Sequence, residues 1–255
     1  MTPTDERRVT VRYIGHATVL LEVDGVRILT DPFLRDRLGP LERHGPTPDA
    51  DEIGAVDVVL ISHGHPDHLD RRSLEAVKGN ATVVVPRRLG ATVRRWLGNE
   101  VVELRAGDSR DVREVQVEAV RAKHWISPGA PRAQPLGFLI GGGNCVWFAG
   151  DTARYPEMIA LRGRVDVALL PVWTWGPHLG PGHLGPEDAA EVVATVGARV
   201  AIPIHWGTLY PRQLHRLWTG PLEQPGGRFA AVAAQVAPGA DVHVLRPGET
   251  ATVRR

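Results

Sequence analysis

The segment Ile61-Ser62-His63-Gly64-His65-Pro66-Asp67-His68-Leu69 sets His63, His65, Asp67 and His68 within one short stretch, directly behind the apolar run Val56 to Ile61. Imidazoles with a carboxylate suit zinc or a similar borderline ion better than calcium or magnesium, which prefer oxygen. The competing reading is a histidine-rich surface loop or a helix cap, with Asp67 capping a helix that begins near Asp70. That reading leaves three neighbouring histidines as coincidence. Two more histidines end apolar runs and precede tryptophan, His124-Trp125 and His205-Trp206, while Asp151 follows Val146-Trp147-Phe148-Ala149. A carboxylate at the end of such a strand is costly unless hydrogen-bonded or bound to a cation.

The elements that must position these groups read as alternating strands and helices. Three strands open the chain, Val9 to Ile14, Thr18 to Val23 and Val26 to Thr30, with Asp24-Gly25 as the turn between the last two. Gly39 to Asp51 reads as a loop. After the histidine cluster come a helix from Arg71 to Val77, a strand from Thr82 to Val85, a helix from Arg88 to Leu97, and strands near Val101 and from Val115 to Ala122. A Gly141-Gly142-Gly143-Asn144 turn joins strands Gly137 to Ile140 and Val146 to Ala149; with no helix behind it, it is a hairpin rather than a phosphate cradle. Then follow a helix at Pro156 to Leu161, a strand from Val165 to Leu170, a helix from Pro186 to Val196, a strand from Val200 to Ile204 and a last strand from Val242 to Leu245. The pattern predicts two packed sheets with helices outside. A weak internal echo divides the chain into halves, residues 1–135 and 136–255: Asp31 answers Asp151, Val56-Asp57-Val58-Val59-Leu60 answers Val165-Asp166-Val167-Ala168-Leu169, and His124-Trp125 answers His205-Trp206.

Composition fits a soluble enzyme. The 255 residues, 43% apolar, are ample for a core, and a formal net charge of +1 implies neither a nucleic acid nor an anionic membrane as partner. Of 30 lysines and arginines only Lys78 and Lys123 are lysine, a coding bias rather than a phosphate-binding surface. Lone Cys145, best placed as a small core residue, excludes an internal disulfide. The opening Asp5-Glu6-Arg7-Arg8 is no signal peptide, and no apolar run approaches the ~20 residues that span a bilayer, so a cytoplasmic location is expected.

The His63 to His68 pattern resembles the H-x-H-x-D-H signature of the metallo-β-lactamase superfamily of hydrolases. Tyr13-Ile14-Gly15-His16-Ala17-Thr18, Ile28-Leu29-Thr30-Asp31-Pro32, Phe148-Ala149-Gly150-Asp151-Thr152 and Pro203-Ile204-His205-Trp206-Gly207 follow in that family's order. The Gly-His-Ala-Thr and Thr-Asp-Pro segments look like the branch holding N-acyl-phosphatidylethanolamine phospholipase D and the ascorbate-phosphate lactonases. The resemblance implies an α/β fold, a four-layer αβ/βα sandwich forming one hydrolase domain over residues 1–255. It implies two divalent ions, zinc foremost with Mn2+ or Fe2+ as substitutes: His63, His65 and His124 on one, Asp67, His68 and His205 on the other, Asp151 bridging. A hydroxide between the ions would attack a small ester-type substrate, a lactone, carboxylic ester or phosphodiester.

Around these ligands the resemblance gives Asp67 and His183 roles in the reaction itself. His183 opens His183-Leu184-Gly185-Pro186-Glu187-Asp188-Ala189, similar to a segment whose histidine reaches towards substrate, though a helix-start histidine would read the same way. Asp31 is expected behind the ligands, orienting their loop, and His16 in support of them, at the site's edge or held by a structural hydrogen bond. Trp173, Trp175 and His178 lie in a tryptophan-, glycine- and proline-rich segment that departs from the branch; they either line a substrate pocket or fill the core. His44, His215 and His243 read as surface or structural residues. A non-hydrolytic metal-binding or di-iron redox protein on the same fold is the alternative, but its di-iron form has an acidic residue where His65 stands, and a flavin domain. A nuclease of this superfamily would carry a further domain and a basic surface.

Overall fold

The computed structural model describes residues 8–141, 145–215 and 217–254. One seven-stranded sheet runs Thr250–Arg254, Arg8–Gly15, Thr18–Val23, Val26–Thr30, Val58–Leu60, Thr82–Pro86, Val101–Leu104 across its width. The second runs Asp241–Val242, Val200–Ile204, Val165–Pro171, Cys145–Phe148, Leu136–Ile140, Val115–Arg121, Ser109–Val112. Each sheet is antiparallel on one side and parallel on the other. The split follows the side chains. Strands with an alternating pattern, such as Val115–Arg121, pair antiparallel, and uninterrupted apolar runs such as Val165–Pro171, buried on both faces, pair parallel.

Alternation in the first sheet decides what each face touches. Val9, Val11, Tyr13, Val19 and Leu21 point inward and join Val117, Phe138, Val146 and Leu169 of the second sheet in one core. Ile14, Leu20, Leu29, Val59 and Val83 point outward and pack on Leu74 and Val93 of the helices Arg71–Ala76 and Gly90–Trp96. On the far side, helices Pro186–Val196 and Pro225–Val236 lay Ala189, Val193, Phe229 and Ala233 against the second sheet. Helices, sheet, sheet and helices form the four-layer αβ/βα sandwich of the metallo-β-lactamase type.

The chain does not divide at residue 135. Strands Ser109–Val112 and Val115–Arg121 belong to the second sheet, and the C-terminal Thr250–Arg254 returns to the edge of the first by pairing with Arg8–Gly15. The echo holds for the two aspartates, each following a strand that pairs in parallel with a Val-Asp-Val strand, Val26–Thr30 with Val58–Leu60 and Cys145–Phe148 with Val165–Pro171. It fails for His124 and His205, whose strands lie in the same sheet, one antiparallel and one parallel to its neighbour. Gly39 to Asp51 is not plain loop either. Arg37–Leu38 and Leu41–Arg43 form a hairpin around Gly39-Pro40, which Leu209–Pro211 extends to a third, three-stranded sheet, and Ala50–Ile53 is a short helix. The Gly142 to Asn144 part of the expected turn, and Asp5 to Arg7, lie outside the described residues. Among the described residues no helix is long and apolar enough to cross a membrane.

Candidate metal centre

Chain segments leaving the strand ends bring the chemical groups together at one edge of the sandwich. Asp31 follows Val26–Thr30, His63 lies three residues beyond Val58–Leu60, Asp151 three beyond Cys145–Phe148, and His205 directly follows Val200–Ile204. To turn there, the backbone takes left-handed angles at three residues that have a Cβ: His16 (φ 58°), Asp31 (φ 33°) and His205 (φ 61°). Such angles cost about 1–3 kcal/mol each and persist only where surroundings over-determine them. The bonds that do so are visible: His205 N donates to His16 O at 2.7 Å, His16 N to Thr208 Oγ1 at 2.8 Å, and the Tyr13 hydroxyl to Trp206 O at 2.6 Å. Gly150 (φ 60°) precedes Asp151 where a Cβ would stand 2.8 Å from Leu136 O and from Ser62 Cβ, so only glycine fits.

Two sets of donor atoms converge. In the first, His65 Nδ1 lies 2.9 Å from His63 Nε2 and 3.1 Å from His124 Nε2. In the second, His68 Nε2 lies 3.3 Å from His205 Nε2 and 3.5 Å from Asp67 Oδ2. Asp151 stands between them, Oδ2 at 3.3 Å from His68 Nε2 and 4.0 Å from His124 Nε2, Oδ1 at 3.2 Å from His205 Nε2. His183 Nε2 approaches the same Oδ2 at 3.5 Å.

Partners on the far side of the rings decide which nitrogens face inward with a lone pair. Asp31, fully buried, accepts from Ser62 N at 2.7 Å, from Ser62 Oγ at 2.5 Å and from His68 Nδ1 at 2.7 Å. Because Ser62 gives its hydroxyl proton to Asp31, its oxygen accepts the Nδ1–H of His63 at 2.9 Å. His124 Nδ1 donates to Gly182 O at 2.9 Å. His63, His68 and His124 therefore turn Nε2 inward, the arrangement that orients imidazoles for a metal. His65 is reversed: Nδ1 faces inward, and while Nε2 accepts from Ser127 N at 3.0 Å the neutral ring keeps its proton on Nδ1, so an ion held there would displace that proton to Nε2 and open the Ser127 bond.

The electrostatics suit a cation. Burial holds the His63 imidazole well below its ordinary value and takes His124 down to about 4, so both are neutral donors. Burial and the nearby His205 take His16 to about 3; neutral, it donates Nε2–H to Asp67 Oδ2 at 2.9 Å. Burial alone would raise the carboxyls of Asp67 and Asp151, but the surrounding histidines outweigh it and hold both well below the carboxylate range. Burial would likewise lower His68, yet Asp151, Asp67 and Asp31 together hold it well above an ordinary histidine. Asp151 Oδ1 is buried without a well-aligned hydrogen bond, as is His205 Nδ1. An under-satisfied buried carboxylate facing imidazole nitrogens is a donor set that fits one or two transition-metal ions. The groupings able to hold an ion include His63-His65-His124, His16-Asp67-His68-His205 and His124-Asp151-His183.

A cleft of about 580 Å³ opens over this floor. His65, Asp67, His124, Asp151 and His183 reach it from below, and Trp125, Trp175, His178, Leu38 and Leu41 stand around it. Trp173 is not part of that lining. Its ring packs against the core while Nε1 donates to Gly176 O at 3.0 Å, so of the expected pocket residues Trp175 and His178 take that place and Trp173 does not. His16 lies not at the site's edge but beneath it, buried behind Asp67. Ser62, Tyr13, Thr208 and the Leu38 to Leu41 hairpin were not foreseen. Ser62 could have been, as the hydroxyl between a buried strand and the first histidine; a hairpin of two- and three-residue strands leaves no periodic signal.

A family model described as the beta-lactamase superfamily domain matches residues 26–206. An uncharacterised protein of Mycobacterium tuberculosis is 34% identical over 248 residues, covering 90% of this chain; the chain spans 65% of that relative's length. A metal-dependent hydrolase of Thermus thermophilus is 33% identical over 248 residues, 94% of this chain and 97% of that protein. Among solved structures, a metallo hydrolase from the archaeon Ignicoccus hospitalis superposes with a TM-score of 0.74 over 97% of this chain and 99% of that one, at 24% identity, which speaks for the fold. With the model matching most of its length and relatives above 30% identity covering nearly all of it, the chain belongs to the metallo-β-lactamase superfamily.

Proposed function

We propose that the protein is a metal-dependent hydrolase that binds two divalent ions, zinc foremost, and cleaves a small ester-type substrate in the cleft above them. The observation that carries this is the convergence of His63, His65, His124, His68, His205, Asp67 and Asp151 on two adjoining positions at the floor of an open cleft. His63, His65 and His124 would hold one ion and Asp67, His68 and His205 the other, with Asp151 shared. Bound there, the ions supply Lewis-acid polarisation and a nucleophile from water at neutral pH.

The chain's own groups do the rest. Burial lowers His183 but the carboxylate of Asp151 outweighs it, so the imidazole is held above its ordinary value, with Nε2 at the cleft floor. From there it can bond to an oxygen that gains charge or protonate the departing one. His16 orients Asp67, Asp31 orients His68 and, through Ser62, His63. Trp175 and His178 form part of the wall that meets substrate. The test is hydrolysis of lactones, aryl esters and phosphodiesters by zinc-loaded protein beside chelated protein and Asp151→Ala. Metal-dependent turnover lost in Asp151→Ala is expected; activity that survives both treatments would contradict the reading.

A further inference from the structure

The chain is rich in arginine, yet among the described residues no lysine or arginine lines the cleft. On the hairpin beside the cleft the arginines have partners of their own. Arg35 pairs with Asp70 at 2.7 Å, Arg37 with Glu42 at 3.4 Å, and Arg43 is buried, with Nε bonding Arg35 O at 3.0 Å and Nη2 bonding Phe33 O at 2.5 Å. What that hairpin presents to the cleft is Leu38, Pro40 and Leu41. Facing them are Trp125 and Trp175, which remain 58% and 42% exposed although tryptophan is mostly covered in folded proteins. A further ring, Trp218, is half exposed and lies 6.5 Å from His178 of the lining. Among the described residues, the only charged side chains lining the cleft, apart from histidines, are Asp67 and Asp151 of its floor.

An anionic group held between these walls, away from the floor, would lose its hydration with no lysine or arginine to replace it, a cost that an uncharged apolar group does not meet. Exposed indole faces gain instead from a flat or aliphatic body that covers them. We propose that the substrate is uncharged away from its reacting bond, with an apolar aryl or alkyl body seated between Leu38-Pro40-Leu41 and Trp125-Trp175. This rests on the hydrolase reading for the bond that reacts, and it narrows that reading to lactones, esters or phosphodiesters whose groups beyond the reacting bond are neutral, excluding substrates that carry a remote carboxylate or phosphate.

The test uses two ligands that cannot be hydrolysed, 4-phenylbutan-2-one and 4-(3-oxobutyl)benzoate, which differ by one carboxylate, titrated calorimetrically into the zinc-loaded protein. The matched esters phenyl butyrate and 4-carboxyphenyl butyrate are assayed alongside. The neutral ketone should bind at least about tenfold more tightly. Trp175→Ala should weaken the neutral ketone several-fold, and Trp175→Arg should narrow or reverse the preference, both with an unchanged melting temperature. Equal or tighter binding of the carboxylate by the wild type, no binding of the neutral ketone, or indifference to both Trp175 variants would overturn the proposal. Hydrolysis of neither ester with the ketone preference intact would remove the hydrolase reading while leaving the cleft's preference standing.

Discussion

Asp31→Asn tests the hydrogen bonds behind His68 and, through Ser62, behind His63, which on the proposed assignment hold separate ions. Asparagine has the same size and tolerates the left-handed backbone found at this position (φ 33°), so the perturbation falls on the hydrogen bonds and one buried negative charge. One carbonyl oxygen can still accept from Ser62 N. The amide group, in place of Oδ2, meets two donors, His68 Nδ1 at 2.7 Å and Ser62 Oγ at 2.5 Å. His68 relieves the conflict by giving up its Nδ1 proton and keeping the one on Nε2, the atom that faces Asp67 and Asp151, so its lone pair is turned away from the ion. Partners of this kind are worth about 10–100-fold in metal affinity, or ~1.4–2.7 kcal/mol. His63 reaches Asp31 only through Ser62, so the ion held by His63, His65 and His124 should be affected less. Competition titration with a chelator resolves the two affinities. Wild-type affinity at both positions in Asp31→Asn would refute the reasoning.

His183→Ala should keep two ions and the melting temperature while lowering turnover by ~10²-fold, the scale of a positioned proton donor; lost metal would make His183 a ligand, and near-normal turnover would make it a helix-start residue. Because three carboxylates hold metal-free His68 well above an ordinary histidine despite its burial, it is protonated at neutral pH, and an ion taking its Nε2 displaces that proton. Metal affinity should then rise with pH by about tenfold per unit while one proton is released; calorimetry at pH 7 in buffers of different ionisation enthalpy counts the proton, and a count of zero would contradict the assignment. Tyr13→Phe removes the buried bond to Trp206 O beside His205, costing ~1–2 kcal/mol and lowering Tm by about 2–8 °C. Thermal unfolding without metal checks it, and an unchanged Tm would show that the bond contributes nothing.

The groups that converge on the site were legible because they follow buried strands, and the end of a buried strand is fixed by its apolar run. Val56 to Ile61 and Val200 to Ile204 are found where their composition puts them, and His63 and His205 follow. Sheet membership was less legible. Nothing local in Val115–Arg121 says which sheet it joins; it hairpins with Ser109–Val112 and its other partner, Leu136–Ile140, is chosen by long-range packing. Helix Pro225–Val236 went unseen because Pro225-Gly226-Gly227 reads as a turn, whereas the proline occupies the first helical turn and Gly226 leaves room for the Trp206 ring, 2.4 Å from where a Cβ would stand. Trp173 and Trp175 are two residues apart and equally apolar. Only the turn closed by Trp173 Nε1 and Gly176 O decides that one ring packs on the core and the other faces the cleft.

Two ions sharing Asp151, as proposed, would be read most directly from metal content. Metal content of protein stripped with chelator, reloaded with zinc and freed of excess should be two per chain, falling to about one in His63→Ala, with its first-set ligand gone, and below wild type in Asp151→Ala. A limit of one ion per chain in the wild type, or two retained in Asp151→Ala at unchanged affinity, would contradict it.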